Sequence, residues 1–391
     1  MSLTPLRILI ALQYYVPHRT GLTLHVQRLA ESLVRRGHSV TVLTARYNTE
    51  LPSDEIVNGV RVVRLWAPIR VSRGMIMPTY PIAAYRLIRE HDVVSIHSPL
   101  LETALMALVV RILGKGLVIT HHGDLILPGN WKDRFVMWAV HSMFRVAGAT
   151  ANSLIAYSDD YAQNSYYLEP FLNKTTAVYP PIVVERPDKK KVQQLRATWL
   201  NGSKRGLIVG YAGRFVEEKR PDVLIRSLPV LREKYPDAKI VFAGEYDISY
   251  ENFFQRHKAL VDEFKDSLIF LGLLTDEEAV ANFYCACDVL ALPSDTECFA
   301  LVQVEAMLCG TPVVATNIPG AREVVTVTGM GELAPPRDPH ALGKAIAKVA
   351  ANRSRYVKSY RKIAGTFRLD ATIDAYEQQF MAANLSRLQV S

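Results

Sequence analysis

Short apolar runs alternate with amphipathic stretches along most of the chain. Arg7–Leu12 reads as a buried strand, Leu24–Arg36 as an amphipathic helix ended by Gly37, and Ser39–Ala45 and Val60–Trp66 as two more strands. Asp92–His97, Leu117–His121, Ser153–Tyr157 and Thr175–Val178 continue the strand series, with helices expected over Glu102–Leu113 and Trp131–Val146. Continuous apolar strands separated by helices mark a parallel sheet covered on both faces. The pattern lapses after Tyr179-Pro180-Pro181, where a polar, basic stretch runs through Lys204 with room for a surface helix over Lys189–Leu200. It resumes with strands at Leu207–Tyr211, Lys239–Ala243, Ser267–Phe270, Val289–Leu292 and Val313–Thr316, and a helix at Asp222–Glu233. The expected fold is therefore α/β: two doubly wound, Rossmann-like parallel-sheet domains facing across a cleft, residues 1–184 and 185–370, followed by a helical segment within 371–391.

Length and composition agree. A chain of 391 residues suits two or three domains, and 49% hydrophobic residues suffice for a core in each. No run approaches the ~18 apolar residues that a membrane-spanning helix needs. Ile8–Leu12 is too short for the apolar region of a secretory signal, so the expectation is a cytoplasmic protein. The four cysteines, Cys285, Cys287, Cys298 and Cys309, lack paired C-x-x-C spacing and read as reduced thiols rather than a zinc site. The net charge is +8, with 18 Lys and Arg against 13 Asp and Glu in residues 1–185 and 28 against 25 in the rest. An excess spread so evenly is no nucleic-acid stripe; it suits phosphorylated substrates, an anionic lipid surface or an ordinary solvated exterior.

In open α/β sheets, ligands bind outside the carboxyl ends of the strands. Thr20-Gly21, His121-His122-Gly123, Gly213-Arg214, Gly244-Glu245 and Pro293 to Glu297 all follow expected strands. The most informative run is Glu297 to Val313, ECFALVQVEAMLCGTPV, a loop opening into a short helix that Gly310 closes. Free N–H groups at such a helix start favour phosphate, and the carboxylates Glu297 and Glu305 can accept hydrogen bonds from sugar hydroxyls. In GRFVEEKRPDVLI (213–225), Gly213 permits a sharp turn, and Arg214 and Lys219 make a suitable pair for a diphosphate. Taken singly, each has a plainer reading: Arg214 and Lys219 as surface cations beside Glu217 and Glu218, Glu305 as a solvated helix residue, and His122 as a polar group at a strand end. His121 is expected to point away from His122, and His25 and His97 read as structural groups bonding loops at the sheet edge.

The joint pattern resembles the retaining glycosyltransferases of family 4, nucleotide-sugar enzymes of the B-type fold. It is carried by Arg214, Lys219, PSDTECF (293–299), EAMLCGTPVVAT (305–316) and PGAREVV (319–325), and more weakly by GLTLHV (21–26), Arg36-Gly37-His38, His97 and Thr120–Gly123. The resemblance implies an acceptor-binding first domain, a donor-binding second domain and a C-terminal helix that crosses back to the first. Arg214 and Lys219 match the pair that neutralises the donor diphosphate. Glu305 matches the carboxylate that holds the ribose, and Glu297 the one that contacts the transferred sugar. Phe299, Ala300 and Leu301 match the loop and helix start whose N–H groups approach sugar and phosphate, with Gly213 at the turn. His122 matches a histidine near the reacting centre, and Gly21 the loop that closes over the phosphates. The implied donor is a nucleoside-diphosphate sugar such as UDP- or GDP-hexose, and the acceptor a glycan or lipid-linked hydroxyl.

The chain departs from the family at three points. Thr20 stands where a second glycine is frequent, and Cys298 and Ala300 replace the glycines of the usual E-G-F-G. Ala300 must either take an ordinary backbone conformation or carry strain. No D-x-D cation site stands among these motifs, and Asp159-Asp160 reads as a helix cap. The expectation is thus metal-independent transfer by a same-face, ion-pair-like displacement, with no other cofactor. WKDRFVMWAVHSMFRV (131–146) puts Arg134, His141 and Arg145 on one helical face with Trp131 and Trp138, and VSRGMIMP (71–78) adds Arg73, Met75, Ile76 and Met77. These read either as a membrane interface, making the protein peripheral on an anionic bilayer, or as core packing and an acceptor-pocket cover. A phosphorylase or epimerase of the same architecture, or a silent nucleotide-sugar-binding partner, is the alternative.

Overall fold

The computed structural model describes residues 4–71, 74–100, 102–125, 131–203, 206–248 and 251–388. Arg73 and Lys204 lie outside these. The chain forms two compact units, the first comprising 1–181 with 369–391 and the second 182–368.

The strands of the first unit are β1 (Arg7–Ala11), β2 (Ser39–Arg46), β3 (Asp54–Val57), β4 (Val60–Trp66), β5 (Ile69–Val71), β6 (Gly74–Ile76), β7 (Val93–Ser98), β8 (Gly116–His121), β9 (Ser153–Ala156) and β10 (Thr175–Ala177). Among the described residues, eight of them make a sheet in the order β10-β9-β8-β7-β1-β2-β4-β3, parallel except where β3 turns back onto β4. The order reverses between β1 and β7, which makes the carboxyl ends of these two strands the switch point. β5 and β6 form a separate hairpin, tied to the segment after β1 by Gln13 Nε2 donating to the Met75 carbonyl at 2.9 Å.

The core of this unit joins Ile8, Ile10, Val42, Val93, Val118 and Ile155 from the sheet to Val26, Leu29 and Leu33 of helix Gly21–Arg35. Helix Leu369–Leu388 adds Ile373, Tyr376, Phe380 and Ala383, a stripe at helical spacing. Ile373 and Phe380 each contribute roughly 1.5–3 kcal/mol on burial. Polar contacts fix the same helix. Buried Glu377 accepts from Arg36 and faces His38 Nε2 at 2.9 Å, while Arg36 also pairs with Asp374 at 2.6 Å.

The second unit holds β11 (Ile208–Ala212), β12 (Lys239–Ala243), β13 (Leu268–Gly272), β14 (Val289–Leu292), β15 (Val313–Thr316) and β16 (Gly331–Ala334), parallel throughout in the order β13-β12-β11-β14-β15-β16. Its switch point lies between β11 and β14. Val209, Ile240, Val289 and Val314 pack against Leu224, Leu228, Leu231, Leu342 and Ile346.

Two expected elements differ. The helix expected over Asp222–Glu233 is two, Pro221–Arg226 and Leu228–Lys234. Pro229 has no N–H and its ring collides with a continuing helix, so the chain breaks at Ser227. Asp159-Asp160 is not the cap: Ser158 caps that helix by accepting from Tyr161 N, and the two aspartates occupy its first turn.

Candidate functional site

Gly213 (φ +151°) follows β11, which flanks the switch point of the second unit, and Gly244 (φ +143°) follows the neighbouring β12. A Cβ on Gly244 would run into the Gly213 carbonyl, so the two strand ends approach backbone to backbone as only glycine allows. Arg214 follows directly. Its carbonyl accepts from the Tyr211 hydroxyl at 2.8 Å, and its guanidinium lies 3.3 Å from Glu218. A short turn, Glu217–Lys219, then delivers Lys219, whose Nζ donates to Glu297 Oε1 at 2.6 Å.

Glu297 lies in the loop after β14. The same oxygen accepts from Ser294 Oγ at 2.8 Å, and the side chain is only 8% exposed. Burial lifts the Tyr211 phenol well above its usual range, Glu297 lifts it further, and Arg214 opposes. One phenol thus lies within Coulomb reach of both charges. From behind, Gly320 (φ +76°) braces the loop; a Cβ there would strike the backbone of Glu297 and Cys298.

The loop leads into helix Leu301–Leu308 through Ala300, which takes φ +59° and offers no side-chain cap. Ala300 therefore carries the strain rather than avoiding it, at a cost of about 1–2 kcal/mol. The Phe299 ring is buried against Phe367. Gln303, fully buried, ties the segment down by donating to the Ala321 and Phe299 carbonyls at 2.9 and 3.3 Å. Glu305, one turn into the helix, accepts from the Tyr284 hydroxyl at 2.9 Å. Arg214, Lys219, Glu297 and the start of this helix stand at adjacent strand ends. Together they offer cations and a helix N-terminus for phosphate, and oriented carboxylates for hydroxyls. All four cysteines are free thiols. Among the described residues, no group of three or more His, Cys, Asp or Glu side chains is arranged to hold a metal ion.

The other expected residues belong to the first unit. Gly21 occupies the first position of helix Gly21–Arg35, behind a capping box in which Thr20 and Thr23 bond reciprocally. Thr20 is thus a cap. His122 follows β8 and bonds through both ring nitrogens, Nε2 to His97 Nδ1 at 2.8 Å and Nδ1 to the Tyr157 hydroxyl. His121 turns the other way, with Nε2 2.9 Å from Asp124. His25 and His97 are not at the sheet edge as expected. Both are fully buried, His97 on a central strand, and both join the His122 network.

Tyr284, Tyr157 and Tyr376 are not singled out by the sequence, and Ser294 stands there only within the run Pro293 to Glu297, with no role of its own. Ser294 stands three residues before its carboxylate and was within reach of local reading. The tyrosines come from distant segments, and no local pattern marks them.

Two segments match family models: residues 199–365 the model described as "Glycosyl transferases group 1", and residues 20–164 the model described as "Glycosyl transferase 4-like domain". The chain is 26% identical over 353 residues to an uncharacterized glycosyltransferase of Methanocaldococcus jannaschii, covering 85% of each. It is 24% identical over 322 residues to the GPI3 subunit of phosphatidylinositol N-acetylglucosaminyltransferase of Saccharomyces cerevisiae, covering 80% of this chain and 68% of that protein. The fold is shared with Anabaena HepE, solved in complex with UDP, at a TM-score of 0.74 and 20% identity over 97% of this chain and 99% of that one.

Proposed function

Because the chain belongs to the glycosyltransferases of group 1, we propose that it moves a hexosyl unit, with retention, from a nucleoside-diphosphate sugar such as UDP- or GDP-hexose to an acceptor hydroxyl. The observation that carries this reading is the Lys219–Glu297–Ser294 cluster beside Arg214 at the switch point of the second unit. In this reading Arg214 and Lys219 neutralise the diphosphate, and Gly213 lets the backbone approach it. The N–H groups of Phe299, Ala300 and Leu301 face phosphate and sugar. Glu305 holds the ribose, Glu297 the hydroxyls of the transferred sugar.

The C1–oxygen bond breaks with its electron pair going to the diphosphate, and positive charge develops at C1. The acceptor hydroxyl adds on the same face and gives its proton to the departing phosphate oxygen. Two fixed cations and a helix terminus stabilise the leaving charge, so this reading requires no metal. The first unit is proposed to take the acceptor, with Gly21 and His122 serving the reaction from there. His122 does so as a positioned group held by bonds at both ring nitrogens, and burial keeps it neutral.

A lipid-linked acceptor is favoured by the exposed face of helix Trp131–Thr150. There Trp131, Phe135 and Trp138 stand beside Arg134 and Arg145, and the neighbouring helix Thr103–Ile112 adds Arg111 and Ile112. Aromatic and basic side chains together suit an anionic bilayer surface. The yeast relative's name likewise specifies a phosphatidylinositol acceptor. Among the described residues no helix is long and apolar enough to cross a membrane, so the proposed association is peripheral.

A thermal-shift screen against nucleoside diphosphates and their sugar esters tests the donor, since a tight ligand raises the melting point by mass action. A shift with one diphosphate family, and consumption of its sugar ester, is expected. A response to hexose 1-phosphate alone would favour a phosphorylase.

A further inference from the structure

Seven side chains of the first unit form a single file of hydrogen bonds through its interior. Ser95 Oγ bonds His97 Nε2 at 3.3 Å, His97 Nδ1 bonds His122 Nε2 at 2.8 Å, and His122 Nδ1 bonds the Tyr157 hydroxyl. That hydroxyl lies 3.3 Å from His25 Nδ1, His25 Nε2 lies 3.0 Å from the Tyr376 hydroxyl, and Tyr376 lies 3.1 Å from Thr120 Oγ1. The file joins β7, β8, the segment after β9, helix Gly21–Arg35 and helix Leu369–Leu388.

Burial keeps the three imidazoles neutral near pH 7. It lowers His97 to about 3 and drives His25 and His122 well below their ordinary value. A neutral imidazole has one N–H and one bare nitrogen. Two facing ring nitrogens can therefore share only one proton, so the tautomer of His97 dictates that of His122. A phenol between two ring nitrogens gives its hydrogen to one and accepts from the other, which carries the constraint on to His25. Two arrangements satisfy all six bonds of the file. In one, Thr120 donates toward Tyr376 and the hydrogens run to Ser95, placing N–H on His25 Nδ1, His122 Nε2 and His97 Nε2. In the other all are reversed, placing N–H on His97 Nδ1, His122 Nδ1 and His25 Nε2.

We propose that the tautomers of His25, His97 and His122 are set as one unit, and that Tyr376 of the C-terminal helix is a positioning residue for His122, acting through His25 and Tyr157. The second half of this proposal rests on the glycosyl-transfer reading, in which His122 serves the reaction; the first half does not. Fully bonded buried networks hold their members in one geometry more firmly than separate pairs do. A conformational change in the terminal helix would thereby reach the strand end at His122.

The full chain carrying 15N-labelled histidine, observed by long-range proton–nitrogen correlation near pH 7, reads the tautomers without any substrate. His97 and His122 are expected in the same tautomer and His25 in the opposite one. His97 and His122 in opposite tautomers, or His25 matching them, would overturn the proposal. Tyr376→Phe removes one hydroxyl and leaves both direct partners of His122 in place. It is expected to change the His122 nitrogen shifts and to lower kcat about tenfold with donor KM within about twofold. Unchanged His122 shifts and kcat, with only a lower melting point, would show a merely structural tyrosine. Should that variant not fold, Thr120→Val tests the same end of the file with the same outcomes. A wild-type chain that transfers no sugar would end the glycosyl-transfer reading and the role at His122, and the tautomer rule would still be decided by the spectrum.

Discussion

Lys219 Nζ lies 2.6 Å from Glu297 Oε1, joining the turn after β11 to the loop after β14 through a carboxylate that is almost buried. A charge in that position depends on its partner. Lys219→Ala leaves Glu297 with the Ser294 hydroxyl and is expected to cost about 1–3 kcal/mol. Adding Glu297→Gln removes the orphaned charge and should recover part of the loss. Chemical denaturation of the two variants checks this; a double variant less stable than Lys219→Ala would contradict it.

Ala300 pays for its left-handed backbone at the start of helix Leu301–Leu308. Glycine adopts that conformation without the Cβ clash but loses more freedom on folding, roughly 0.5–1 kcal/mol. Ala300→Gly is therefore expected to raise stability by about 0.5 kcal/mol and to retain donor turnover, as measured by thermal melting and initial rates. A clear loss of stability would show that the alanine methyl has a packing role.

His25, His97 and His122 make the first unit sensitive to acid. Their folded pKa values lie below the ordinary 6.5, chiefly through burial, so the unfolded chain binds protons that the folded one refuses. The associated stability is complete above pH ~6.5 and is lost as pH falls toward the folded values. At pH 5 the network therefore contributes less stability than at pH 7. Unfolding free energy should fall as pH drops from 7 to 5, with net proton uptake on unfolding. A flat profile would contradict the neutral network.

The exposed aromatic and basic face of helix Trp131–Thr150 should bind anionic vesicles. Cosedimentation with phosphatidylglycerol liposomes at low salt is expected, and Trp131→Ala/Trp138→Ala should release most of the protein to the supernatant. High salt should weaken binding in the wild type, because the cationic part is screened. Wild-type protein that stays in the supernatant at low salt would exclude this surface as a bilayer contact.

Much of the fold was legible where short apolar runs meet turn residues. Val60–Trp66, Lys239–Ala243, Val289–Leu292 and Val313–Thr316 have the bounds their sequences suggest, and Lys189–Leu200 is a helix from Asp188 as cap to the turn at Asn201. Asp54–Val57 escaped notice, although Asn58-Gly59 ahead of Val60 is a strong hairpin signal; both residues take positive φ. Gly331–Ala334 escaped because GELA has little strand preference, and its place beside β15 comes from tertiary packing. Arg214, Lys219 and Glu297 stood out because each follows a recognisable strand. The histidine file could not be read locally, because Tyr376 lies 351 residues from His25 and only the packed core brings them together.

Titrating the matching nucleoside diphosphate and its sugar ester into wild type, Arg214→Ala, Lys219→Ala and Glu297→Gln, with turnover measured on the same samples, tests the donor site most directly. Loss of one charge-assisted contact corresponds to about 10- to 100-fold in affinity, so Arg214→Ala and Lys219→Ala should bind both ligands that much more weakly. Glu297→Gln should bind the diphosphate within a few-fold of wild type while losing most of its turnover. Diphosphate binding that ignores both cations, or turnover unchanged in Glu297→Gln, would contradict the account.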